Sequence, residues 1–67
     1  MHTAHRAYPD IICCLNGRFV AFEVKTPSGT LTKLQEITLQ RINAAKGDAY
    51  KVTSVDEVTA IVNNLNT

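Results

Sequence analysis

Sixty-seven residues, a net charge of +1 and a 45% hydrophobic content describe one small domain of ordinary globular composition, neither disordered nor strongly basic. A chain this short buries only about 60% of the surface its unfolded form exposes, so its core is marginal unless a partner, a metal or a disulfide adds to it. Nucleic-acid binding through bulk charge is excluded, and no apolar run approaches the roughly 20 residues of a membrane span.

Residues 1–7 carry no periodic pattern and are expected to be flexible or to contact a partner. Met1 to Asp10 lacks the apolar stretch of a secretory signal. Tyr8-Pro9 reads as extended, because the residue before proline is pushed out of the helical region. Ile11 to Leu15 is a short apolar run with β-branched residues and predicts a buried strand. Asn16-Gly17 is the strongest short hairpin signal, and Arg18 to Val24 returns as the second strand. Along it Phe19, Ala21, Glu23 and Lys25 share one face, and Val20, Phe22 and Val24 share the other. The adjacent Cys13 and Cys14 point to opposite faces of a strand, which predicts two reduced, packed thiols and no disulfide.

Thr26 to Leu31, with Pro27 and Gly29, predicts a loop. Thr32 reads as an N-cap and Gln35 as its capping-box partner. The helix they open runs to about Lys46, with Gly47 at the C′ position. Leu31, Leu34, Ile37, Ile42 and Ala45 form its broad apolar side, with Leu39 at the edge. Asp48 to Thr53 predicts a third strand. Ser54 and Glu57 form a second capping box. The last helix, Val55 to Asn66, carries Val55, Val58, Ile61, Val62 and Leu65 on one stripe. The order β-β-α-β-α predicts a single α/β domain over residues 1–67 with a mixed three-stranded sheet.

Glu23 and Lys25 are out of place on a strand expected to be covered on both faces. One explanation is that the strand end protrudes into water. Asp10 suggests another. With a two-residue turn Leu15 pairs Arg18, and Asp10 then falls opposite Glu23. Like charges across strands are destabilising, and a divalent cation, which takes carboxylate oxygens, would offset them. A carboxylate pair, a strand carbonyl and water make a plausible Mg²⁺ or Mn²⁺ site. A lysine beside it is equipment for metal-assisted phosphodiester hydrolysis.

Pro9-Asp10, twelve intervening residues and Glu23-Val24-Lys25 resemble the motif of the PD-(D/E)xK nuclease superfamily. The wider text, YPDII followed by GRFVAFEVKTPSGTLTKLQ, is similar to its VRR-NUC branch in the short stand-alone form of viruses. There a G-x-PD strand leads by hairpin to a GR-x-x-x-x-E-x-K strand, then to a Pro/Gly loop and a helix with an early glutamine, matched by Gln35. The resemblance covers Tyr8 to about Val62. It implies a minimal restriction-endonuclease-like fold whose antiparallel hairpin carries the site. It also implies a Mg²⁺- or Mn²⁺-dependent endonuclease acting on DNA, with branched replication and repair intermediates as a substrate class. By the same resemblance Asp10 and Glu23 are metal ligands, with the backbone carbonyl of Val24 as a third. Lys25 is the catalytic lysine, and Gln35 faces the site. Two further implications are a homodimer and a cytoplasmic location in a bacterial or virus-infected cell.

The simpler readings are Asp10 as a plain strand start, Lys25 as a snorkelling surface lysine, and Gln35 as only a cap, or as cap and site residue together. Arg6, Arg18 and Lys33 are candidates, with Lys25, for a phosphate-binding patch. His2 and His5 are either possible ligands or part of an unstructured terminus. The chain departs from the family in one respect. Only nine residues precede Asp10 and none is acidic, so the family's N-terminal helix and its glutamate have no counterpart. Two carboxylates and one bare sheet face are therefore expected, with a second copy as the simplest cover. A weak or inactive nuclease fold that binds DNA or a protein is the alternative function, and a piece of a larger assembly is a third.

Overall fold

The structure, a computed structural model, describes residues 8–65. In chain order it holds β1 (Ile11–Leu15), β2 (Arg18–Val24), α1 (Lys33–Ala44), β3 (Asp48–Val52) and α2 (Val55–Leu65). The sheet order is β1-β2-β3, antiparallel between β1 and β2 and parallel between β2 and β3. This is the α/β arrangement, with a mixed three-stranded sheet, that the sequence pattern predicts. Among the described residues no helix is long and apolar enough to cross a membrane. Asn16 and Gly17 both take positive φ, 51° and 80°, as the tight hairpin turn demands.

β2 is central because it can be buried on both sides. Val20 and Phe22 join Val52 in one cluster, against Val58, Ile61, Val62 and Leu65 of α2. Ala21 joins Ala49 and Leu39 in another, with Leu31 and Ile42. Alternate residues of a strand face opposite ways, so α1 and α2 cover opposite faces. The expected bare face is therefore a correction: each face carries a helix. The chain gains this by placing α1 in the crossover between parallel β2 and β3 and α2 after β3. Coverage stops short of the β1 edge, where Ile11, Ile12 and Cys14 stay exposed.

The inward stripe of α1 also differs from expectation. Leu39, expected at the edge, is 8% exposed, whereas Leu34, expected inside, is 42% exposed. Leu31, Gln35, Leu39 and Ile42 are the residues that address the sheet. A glutamine interrupts that stripe, so apolar spacing alone points to the neighbouring one. Ala45 is exposed, and Val55, placed on the stripe of α2, is 78% exposed at its first position.

The end of α1 needs correction. The left-handed residue that closes α1 is Lys46, φ 76°, and not Gly47. The Gly47 N–H donates to the Ile42 carbonyl at 2.9 Å and the Lys46 N–H to that of Asn43 at 3.1 Å, a Schellman closure with glycine one place later. Gly47 is there for space, since a Cβ would lie 2.8 Å from Ile42 Cγ2. At α2 the Ser54 hydroxyl accepts from the Glu57 N–H at 3.1 Å, as expected. The Glu57 carboxylate reaches back to the Thr53 N–H and hydroxyl, and these bonds, with a smaller one from the Ser54 backbone, hold its pKa below the usual carboxylate value. The outer edge of β3 is closed by Asn43. Its amide oxygen accepts from the Ala49 N–H at 2.9 Å and its nitrogen donates to the Ala49 carbonyl at 3.3 Å.

Candidate functional site: a carboxylate pair at the end of the hairpin

The hairpin register runs from Leu15↔Arg18 to Ile11↔Phe22. The next pair outward is Asp10 and Glu23. Asp10 Oδ2 accepts from the Val24 N–H at 2.9 Å, which fastens the start of β1 to the end of β2. Glu23 is 3% exposed, the buried charged residue among those described. Burial is the main cause that pushes its carboxyl pKa up. The Asp10 carboxyl, within hydrogen-bonding reach, pushes the same way, and Lys25 opposes. The Lys25 ammonium stands 3.9 Å from Glu23 Oε2, while its backbone N–H continues the ladder to the Val52 carbonyl at 2.9 Å.

Gln35 reaches the same oxygen from the first turn of α1. Its Nε2 donates to Glu23 Oε2 at 3.1 Å. Its Oε1 accepts from the Thr32 N–H at 2.9 Å, and its own N–H donates to Thr32 Oγ1 at 3.1 Å. Gln35 is thus cap and site residue together. Asp10, Glu23, Lys25 and Gln35 form one cluster where β2 gives way to the loop leading to α1. Val24 closes β2 inside it, with its N–H serving Asp10.

The phosphate patch is only partly assembled. Lys33, exposed, opens α1 two residues before Gln35. Arg18 stands at the opposite end of β2, five residues from Glu23, or about 16 Å along a strand. It does not join the cluster. Its Nε and one terminal nitrogen donate to the two oxygens of Asp48 at 2.8 and 2.9 Å. That pair raises the Arg18 pKa and holds Asp48 below the usual carboxylate range. Arg6, His2 and His5 lie outside the described residues. No group of three or more His, Cys, Asp or Glu side chains comes together among the described residues, so the carboxylates of the cluster are two.

Sequence reasoning missed the Arg18–Asp48 pair, which depends on the parallel register Val20↔Asp48 that no turn signal encodes. The expected capping box of Thr32 and Gln35 is present with both of its bonds. No family model, curated protein or solved structure matches the chain.

Proposed function

We propose that the chain is a metal-dependent endonuclease that hydrolyses DNA phosphodiester bonds, on a minimal restriction-endonuclease-like fold of the VRR-NUC type. The observation that carries this is a buried Glu23 held against a second carboxylate, with an ammonium and an amide donor aimed at it. Packing gives no reason to bury that charge there, and functional sites are where such perturbed groups gather.

The donor set fits a hard divalent cation. Two carboxylates side by side are acceptors that repel, and a cation relieves both burdens. Asp10, Glu23 and the Val24 carbonyl would hold Mg²⁺ or Mn²⁺, which when bound supplies a more acidic water and charge neutralisation at the phosphate. The rest is the work of the side chains. Lys25 orients the attacking water or stabilises charge building on the phosphoryl oxygens. Gln35 fixes the rotamer of Glu23. Lys33, with Arg6, steers the DNA backbone, and Arg18 is left out of that patch because Asp48 occupies it. A cytoplasmic place and branched DNA substrates belong to the same proposal and rest on the family resemblance. So does a homodimer, to which the exposed Ile11, Ile12, Phe19 and Leu34 add apolar surface.

The test is incubation with supercoiled plasmid and a four-way DNA junction, with Mg²⁺ or Mn²⁺ and with chelator. Wild type should cut both with metal and neither with chelator, and Lys25→Ala should cut both more slowly by roughly a hundredfold or more. The second reading, a module that binds DNA or a protein without cutting, is favoured by the count of only two carboxylates among the described residues. DNA retained on a gel without cleavage at any metal concentration would select it.

A further inference from the structure

We propose that Thr32 is a positioning residue of the site: its backbone N–H and hydroxyl fix the Gln35 amide with the donor end, Nε2, toward Glu23. This rests on the metal-site reading above. A side-chain amide has one acceptor end and one donor end. Here Oε1 takes the Thr32 N–H at 2.9 Å and Nε2 gives to Glu23 Oε2 at 3.1 Å. Turned round, the amide would set NH₂ against an N–H and oxygen against a carboxylate. Both contacts are repulsive, so the Thr32 N–H dictates the polarity of the group that meets Glu23. The hydroxyl adds a second hold, since Oγ1 takes the Gln35 N–H at 3.1 Å and anchors that residue's backbone. Three torsions of a long side chain are thereby tied at both ends. The start of α1 and the buried carboxylate become one hydrogen-bonded unit, and outer partners of this kind orient the ligand they touch.

The geometry supplies its own test. Thr32 has φ −71°, which a proline ring adopts. Thr32→Pro therefore deletes the N–H and the hydroxyl with little change of backbone. Thr32→Gly keeps the N–H, and glycine is an accepted N-cap residue. Thr32→Ser keeps both groups. Two readouts apply: Mn²⁺ titration by calorimetry, and the Gln35 side-chain amide signals of the metal-free protein by NMR. Thr32→Pro should weaken Mn²⁺ binding about tenfold, Thr32→Gly should fall between it and wild type, and Thr32→Ser should match wild type. Adding Gln35→Met to Thr32→Pro should cost nothing more, because residues acting as one unit are not additive. The Gln35 amide protons should be shifted and slow to exchange in wild type, and should approach free-amide behaviour in Thr32→Pro. Wild-type Mn²⁺ affinity and unchanged amide signals in Thr32→Pro would overturn the proposal. So would fully additive penalties. Should Thr32→Pro fail to fold, Thr32→Gly decides by the same two readouts. If wild type itself binds no Mn²⁺, the metal-site reading falls, and the amide signals still judge Thr32.

Discussion

Replacing Glu23 by glutamine should stabilise the metal-free protein while ending cleavage. The shape is kept, the new amide oxygen can accept from Gln35 Nε2, and its NH₂ can donate to Asp10. The Lys25 attraction that is lost acts over 3.9 Å, worth about 1 kcal/mol in water and about 4 kcal/mol at an effective dielectric of about 20. The Asp10 repulsion that is also lost acts in the opposite direction and outweighs it. What remains is the cost of burying a carboxylate at 3% exposure, a cost the amide largely escapes. The net gain is set at about 1 kcal/mol, a rise of about 4–8 °C in Tm for a domain of this size. The pH dependence has a definite sign. A carboxyl whose folded pKa is raised contributes stability below the ordinary value of 4.5, lost as pH rises through the folded value. The advantage of Glu23→Gln should therefore be near nil in acid and full at neutral pH. The assay is thermal melting in chelator from about pH 4 to about pH 8. A Glu23→Gln variant no more stable than wild type at neutral pH would refute the reasoning that Glu23 is buried at a cost.

Lys25→Ala should lower plasmid cleavage by roughly a hundredfold or more because the ammonium acts on the transition state, and should lower the neutral-pH melting temperature of the metal-free protein, where Lys25 offsets the buried Glu23 charge. Asp48→Asn tests the opposite sign of linkage. Arg18 depresses the Asp48 pKa, so that pair stabilises above the ordinary value of 3.8 and its help is lost as pH falls through the folded value. The variant should lose that acid limb of the stability curve and cut DNA normally. Lys46→Gly should raise stability by up to about 1 kcal/mol, since glycine takes a left-handed φ without steric cost; denaturant melts would show it.

The hairpin was legible because its signals are local: Asn16-Gly17 fixes the turn, the turn fixes the register, and the register puts Asp10 opposite Glu23. The capping box at Thr32 was equally local. Where the reading failed, the deciding contact was remote in sequence. The apolar side of α1 was placed one stripe away because Gln35, whose amide meets Glu23, takes a place on the inward stripe that apolar spacing cannot show. That displaced the stripe and exchanged the roles of Leu34 and Leu39. Glycine signalled the end of α1, but the left-handed turn falls one place earlier, on Lys46, and Gly47 follows it because Ile42 leaves no room for a Cβ there. Arg18 read as a free cation because nothing before β3 reveals that Asp48 comes to lie within its reach.

The most direct measurement is a crystal grown with Mn²⁺ and an anomalous difference map at the manganese edge. The account predicts one strong peak shared by the Asp10 and Glu23 carboxylates, absent from Glu23→Gln crystals grown the same way. A wild-type map with no peak between those two side chains, from crystals soaked to millimolar Mn²⁺, would contradict it.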